Sequence, residues 1–193
     1  MAKKIIIIVG NSQTGSYSEA LGQAYLRGAQ SGGHEARLFV LADMKFDPIL
    51  REGYRRAQPL EPDLAVAREA FLASDHVVFV FPLWLGDMPA LLKGFLERLV
   101  QPDLLAIQAG HGNTRWKVFK GKSARIIMTM GMPGWFYRWF FGAHALKLLK
   151  RNILHGVGIK PVRTAIYGRI EAVGEEKRKQ WLREVAALGR AAA

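Results

Sequence analysis

The feature that most limits how this chain can fold is a set of short runs that are apolar at nearly every position. Lys3–Val9 reads KKIIIIV and is followed at once by Gly10. His76–Phe81 reads HVVFVF and stops at Pro82. A strand with one wet face alternates apolar and polar residues. An unbroken apolar run bounded by turn residues reads instead as a strand buried on both faces, as in a parallel sheet covered by helices. Ala36–Leu41, Ala124–Met130 and Val162–Tyr167 supply three further strands. Between these, Ser16–Gln30, Asp63–Ser74, Pro89–Val100, the region around His144–Leu154 and Glu175–Leu188 carry helical spacing. In the first, Ala20, Leu21, Ala24, Tyr25 and Ala29 fall on one stripe. Pro89 suits a first helical turn. Strands alternating with helices predict an α/β fold, a doubly wound parallel sheet in the order 2-1-3-4-5 with helices on both faces.

Composition fits that architecture. The chain has 193 residues, expected to form a single domain over 1–193, and half are hydrophobic, which excludes a disordered chain. There is no cysteine, so disulfides, thiolate metal sites and cysteine nucleophiles are excluded, and a cytoplasmic location is expected. No run approaches the length of a membrane span, and the N-terminus has no signal-peptide layout.

The charge is uneven. The net charge is +12, yet Leu104–Ile170 contains no Asp or Glu and holds twelve Lys and Arg, so the rest of the chain is neutral. Such a field points to an anionic partner: a phosphorylated cofactor, an acidic membrane surface or nucleic acid. The basic residues are scattered through loops, strands and helices without a recognition-helix pattern, so nucleic acid is not expected.

In a doubly wound sheet ligands bind at the carboxyl ends of the strands, at the switch point between strands one and three. Three loops therefore carry the functional signal. The first, Asn11–Ser18, joins a buried strand to a helix N-terminus, where free N–H groups and the helix dipole attract anions. Its Ser and Thr hydroxyls add donors. It lacks the Gly-Lys-Ser/Thr ending of a Walker loop and is not GxGxxG. The alternative is an ordinary polar turn with a Ser cap. The second loop, Phe81–Pro89, offers an apolar wall suited to a planar ring system, or else Trp84 and Leu85 simply cover the sheet edge. The third begins at Gly131 and leads into Gly134–Phe141, GWFYRWFF, with six aromatics in eight residues.

Phe81–Leu99, FPLWLGDMPALLKGFLERL, closely resembles the segment after the third strand in flavodoxin-like NAD(P)H:quinone reductases. Gly15–Ser18, Phe46–Ile49 and Ile153–Gly158 match that family in position. The resemblance covers nearly the whole chain and implies a flavodoxin-like fold with flavin at the switch point. By this likeness Asn11, Gly15, Ser16, Tyr17 and Ser18 hold the flavin phosphate. Pro82, Leu83, Trp84 and Leu85 flank the ribityl chain and ring, and Thr129, Met130, Gly131 and Met132 form the third wall. Tyr137 falls on the family's Tyr, and His144 lies one residue beyond its His; both are the candidate catalytic residues. The chain departs from the usual pattern at Trp84-Leu85-Gly86 and at Thr129–Met132, so its ring pocket differs from that of well-known members.

The implied activity is hydride transfer from NAD(P)H through bound flavin to a quinone or similar flat aromatic acceptor. FMN is favoured over FAD, and the basic surplus favours NADPH. Backbone N–H groups near Gly131 are expected to bond the ring edge where negative charge develops, with Tyr137 and His144 stabilising that charge or protonating the acceptor. The positive window is expected to serve the reduced flavin, a phosphorylated nicotinamide or an acidic membrane. The aromatic segment reads as a lid and homodimer contact, with peripheral membrane contact as another reading. Two other functions share the fold: a flavodoxin-type electron carrier, usually acidic where this chain is basic, and a membrane-associated regulatory flavoprotein subunit of a transporter. The charged run Glu175–Arg183 reads as a solvated helix face.

Overall fold

A computed structural model of the chain describes residues 1–101, 103–104 and 119–192. Five strands, β1 (Lys4–Val9), β2 (Glu35–Val40), β3 (His76–Pro82), β4 (Ser123–Thr129) and β5 (Val162–Tyr167), form one sheet in the order β2-β1-β3-β4-β5. Every pairing is parallel. This is the doubly wound parallel sheet that the alternation of apolar runs and helices predicts. Helices α1 (Tyr17–Ser31), α2 (Pro62–Ala73), α3 (Ala90–Leu99) and α6 (Glu175–Arg190) cover it.

The four isoleucines of β1 show why the run has no polar position. Ile5 and Ile7 join a core with Leu21 and Tyr25 of α1 and Trp181 and Val185 of α6. Ile6 and Ile8 join the opposite core, with Phe71 of α2 and Leu92 and Phe95 of α3. Each buried side chain of this kind contributes about 1.5–3 kcal/mol before the cost of ordering. On the first face α1 and α6 pack backbone to backbone, because a Cβ on Gly28 would lie 1.9 Å from the Ala186 carbonyl oxygen.

Two elements depart from the sequence reading. Part of the aromatic segment is helical, as α4 (Gly134–Trp139). The helix expected near His144–Leu154 begins as α5 (His144–Lys147) and continues as a π-helical stretch, Leu148–Leu154. Most of the irregular stretch expected at Gln101–Lys122 lies outside the described residues. Among the described residues no helix is long and apolar enough to cross a membrane.

Candidate functional site

The register brings the three loops together at the carboxyl edge. Val9 pairs with Val80, and Pro82 with Thr129. The Gly10 N–H donates to the Val80 carbonyl and the Leu83 N–H to the Thr129 carbonyl, each at 2.8 Å, so each loop leaves its strand tied to its neighbour.

The first loop is a small polar cradle. Asn11 is buried, and its side-chain oxygen accepts from the Gln13 N–H at 3.0 Å. Gly15 has φ 65° and no atom within 4 Å of where a Cβ would sit, so the backbone is open there. Ser16 caps α1, its Oγ accepting from the Glu19 N–H at 3.2 Å. The N–H groups of Ser16, Tyr17 and Ser18 find no hydrogen-bond partner among the described residues. Ser18 itself is buried. The Tyr17 side chain is turned elsewhere: its hydroxyl donates to the Arg178 carbonyl at 2.9 Å and its ring lies under the Arg178 guanidinium. Only its backbone remains for the loop.

Glu19 is a residue of this loop that sequence reasoning misses. Its carboxylate accepts from the Gly15 N–H at 2.8 Å while its own N–H caps onto Ser16. The run Ser16-Tyr17-Ser18-Glu19 has the S-x-x-E spacing of a capping box, which is the available signal. The Glu19 carboxylate thus takes up the Gly15 N–H and leaves those of residues 16–18 to the loop.

The second loop is a tight hairpin. Trp84 and Asp87 exchange two backbone hydrogen bonds, both 2.9 Å. The residues between them are Leu85, with φ 47°, and Gly86, with φ 83°. Both are left-handed, as a two-residue hairpin with right-twisted arms requires. Glycine accepts that conformation freely; leucine does so at a cost. Leu85 is nonetheless fully exposed, and Trp84 is 40% exposed. A strained turn here holds an apolar side chain in water beside the cradle.

In the third loop Thr129 and Met130 are buried, and the Met130 backbone bonds both Tyr167 and Ile170. Gly131 has no atom within 4 Å of a Cβ position, and its N–H has no partner among the described residues. The Met132 carbonyl accepts from the Arg169 N–H. The loop is pinned on both sides of an open glycine.

Tyr137 is the buried residue of α4, and its hydroxyl oxygen accepts from the Leu146 N–H at 3.3 Å in α5. Burial pushes its hydroxyl above the ordinary tyrosine range; the Leu146 and Ala145 N–H groups oppose this, and the Asp87 charge adds to it. His144 opens α5 after two left-handed residues, Gly142 and Ala143. It is exposed, with its ring against Gly142. Both candidates therefore meet at the first turn of α5, one buried and one in solvent. The remaining aromatics form a surface cluster: Phe136 stacks on Phe140 at 4.9 Å, Phe141 meets both edge-on, and Trp135, Trp139 and Phe140 are exposed.

The expectation that the basic window serves this edge is corrected. Lys122, Arg125, Lys160 and Arg163 lie in the amino-terminal half of β4 and β5 or just before them. Lys122 is spent on the Leu72 and Ser74 carbonyls. Of the described basic residues of that window, Arg138 on α4, Lys147 on α5 and Arg169 beyond β5 belong to the carboxyl side. Arg115 and Lys117 lie outside the described residues. A linear window of charge spans both ends of each strand, so it cannot specify one edge.

A family described as having the flavodoxin-like fold matches residues 3–188. The chain belongs to this flavodoxin-like family. Among its relatives is an uncharacterized NAD(P)H oxidoreductase of Haemophilus influenzae, 26% identical over 179 residues, a match covering 91% of this chain and 88% of that protein. An FMN-dependent NADH:quinone oxidoreductase of Ruegeria pomeroyi is 32% identical over 84 residues, covering 42% of this chain and 37% of that protein. The solved NAD(P)H:quinone oxidoreductase of Methanothermobacter marburgensis superposes with a TM-score of 0.78 at 22% identity, covering 98% of this chain and 96% of that one. The flavodoxin-like fold thus agrees with the comparisons.

Proposed function

We propose that this flavodoxin-like protein is an FMN-dependent NAD(P)H oxidoreductase that passes two electrons to a quinone or similar flat aromatic acceptor. The observation that carries the reading is the convergence at one sheet edge of a helix N-terminus whose first N–H groups are unpaired among the described residues, an apolar hairpin and an open glycine loop. The names of its relatives support the same chemistry.

The residues fit the group. The N–H groups of Ser16, Tyr17 and Ser18, with Gly15 leaving the backbone open, would hold the phosphate. Pro82, Leu83, Trp84 and Leu85 would wall one side of the ring, and Thr129–Met132 the other. Bound flavin would supply the hydride-accepting and hydride-donating centre between nicotinamide and acceptor. The chain's own work is to bind, orient and exclude water. The Gly131 N–H, without a partner among the described residues, would offer a donor to the ring edge where negative charge must be accommodated. Tyr137, buried with its hydroxyl at the first turn of α5, would be the proton-bearing group of the site, and exposed His144 in the same turn the second candidate.

The exposed aromatics of α4 would be covered by a second copy of the chain, making the site a homodimer edge. Trp139 is 86% exposed and Phe140 is 72% exposed. Clustered apolar surface of that kind is more than an isolated monomer commonly tolerates.

The test is anaerobic stopped-flow on purified protein. NADH or NADPH should bleach the bound flavin and a quinone should restore it, with slower turnover in Tyr137→Phe and His144→Ala. If neither nucleotide reduces the flavin, the reading is wrong. If both variants match wild type, the two assigned residues are wrong.

A further inference from the structure

The amino-terminal edge of the sheet carries a second polar recess. The full length of the strands, six or seven residues each, separates it from the three loops. A cavity of about 260 Å³ lies there, its wall including Lys3, His76, Ser123, Pro161, Arg163 and Ala192. No acidic residue lines it among the described residues.

The electrostatics of this recess are lopsided. His76 is 2% exposed, and its Nδ1 meets the Ser123 Oγ at 2.8 Å. Its Nε2 is buried with no partner among the described residues, and its ring lies 6.4 Å from that of Tyr25 on α1. Burial, then Lys3, Arg125, Arg163 and His34, push its titration down to about 3. Four cationic or ionisable groups from β4, β5 and the approaches to β1 and β2 thus face it. Asp75, next in sequence, is engaged by the Lys4 N–H at 2.8 Å. Lys3 donates to the Ala192 carbonyl at 2.9 Å, a neutral acceptor, and Arg163 makes no ion pair among the described residues. Buried polar groups are normally satisfied, and Lys3 and Arg163 meet no carboxylate among the described residues that would offset their charge at the recess. This half of the basic surplus does no work at the flavin edge.

We propose that the recess is a binding site for a small tetrahedral oxyanion, free phosphate or the phosphoryl group of a monoester, held by Lys3 and Arg163 with His76 in its wall. The two cations supply charge from opposite sides, one from the start of β1 and one from β5. The anion compensates the field at His76, so binding and imidazole protonation favour one another. The site is independent of the flavin chemistry, and its occupation stabilises the folded chain with the logarithm of the anion concentration once that exceeds Kd.

The test uses flavin-loaded protein, so that the first loop is filled. Sulfate, inorganic phosphate and glycerol phosphate are titrated against chloride at matched ionic strength, following the His76 ring protons by NMR. Saturable binding that moves the His76 titration upward from about 3 is expected. Arg163→Gln should weaken sulfate at least about tenfold while leaving NAD(P)H oxidation unchanged. Tighter binding of glycerol phosphate than of phosphate assigns the site to a monoester; the reverse assigns it to the free ion. Absence of saturable binding, or an Arg163→Gln protein that binds sulfate as wild type does, overturns the proposal. Should the protein hold no flavin, the flavin reading fails, and Arg163→Gln still decides the recess.

Discussion

Replacing Glu61 with alanine leaves a fully buried guanidinium without its counter-charge. Arg98 of α3 is 0% exposed. Its two terminal nitrogens meet both oxygens of Glu61, at 3.2 and 2.9 Å, and also the carbonyls of Asp47 and Pro59, the latter at 2.8 Å. Four of five N–H donors are used, and Nε has no partner among the described residues. The clamp fastens the long β2–α2 connection onto α3. Breaking a buried pair by removing one member costs about 3–5 kcal/mol. The Glu61 side chain is 30% exposed. Water therefore reaches the vacated site, and the low end, about 3 kcal/mol, is expected. With a urea m-value of about 2 kcal/mol/M, the unfolding midpoint falls by about 1.5 M. Arg98→Met removes the cation together with its desolvation cost. The double variant should therefore lose at least about 1 kcal/mol less than the sum of the single losses. Burial pushes the Glu61 carboxyl upward, but its Arg98 and backbone hydrogen bonds outweigh this and hold it below the ordinary range. A depressed carboxyl contributes stability that is complete above the unfolded-state value, near 4.5, and lost as pH falls through the folded-state value. The gap between wild type and Glu61→Gln should thus narrow in acid. A loss under about 1 kcal/mol in Glu61→Ala, or additivity within about 0.5 kcal/mol, refutes the clamp.

Three further outcomes follow from named contacts. Glu19→Gln keeps an acceptor for the Gly15 N–H but removes a negative charge beside the proposed phosphate. Flavin should then bind up to about tenfold tighter by fluorescence titration. Gly28→Ala places a methyl group against the Ala186 carbonyl and forces α1 from α6; a loss of about 3 kcal/mol or more is expected in chemical denaturation. Tyr137→Phe strips the acceptor from the Leu146 N–H and should lower Tm by about 2–4 °C by calorimetry, apart from any effect on turnover.

The sheet was legible because parallel strands covered on both faces have no polar positions. The Ile run and HVVFVF carry that signature directly, and their shared carboxyl edge placed the three loops. The second loop's wall was legible as apolar, but not as a hairpin, because Leu85 in a left-handed turn defies residue preference. Helix α4 has no apolar stripe to betray it, because its aromatics face outward as well as inward and Tyr137 is its one buried residue. Tyr17 looked like a phosphate ligand by position, yet its ring leaves the loop for Arg178, a contact 161 residues away that local pattern cannot show. The Arg98 clamp is hidden for the same reason. The basic window misled because a strand crossing the sheet delivers neighbouring charges to opposite edges.

On the proposed function, flavin binds where the three loops meet. A crystal structure of the protein reconstituted with FMN tests it most directly. The phosphate should lie on the N–H groups of residues 16–18, with the ring between Pro82–Leu85 and Thr129–Met132. Flavin density elsewhere on the chain, or none after reconstitution, would contradict the account.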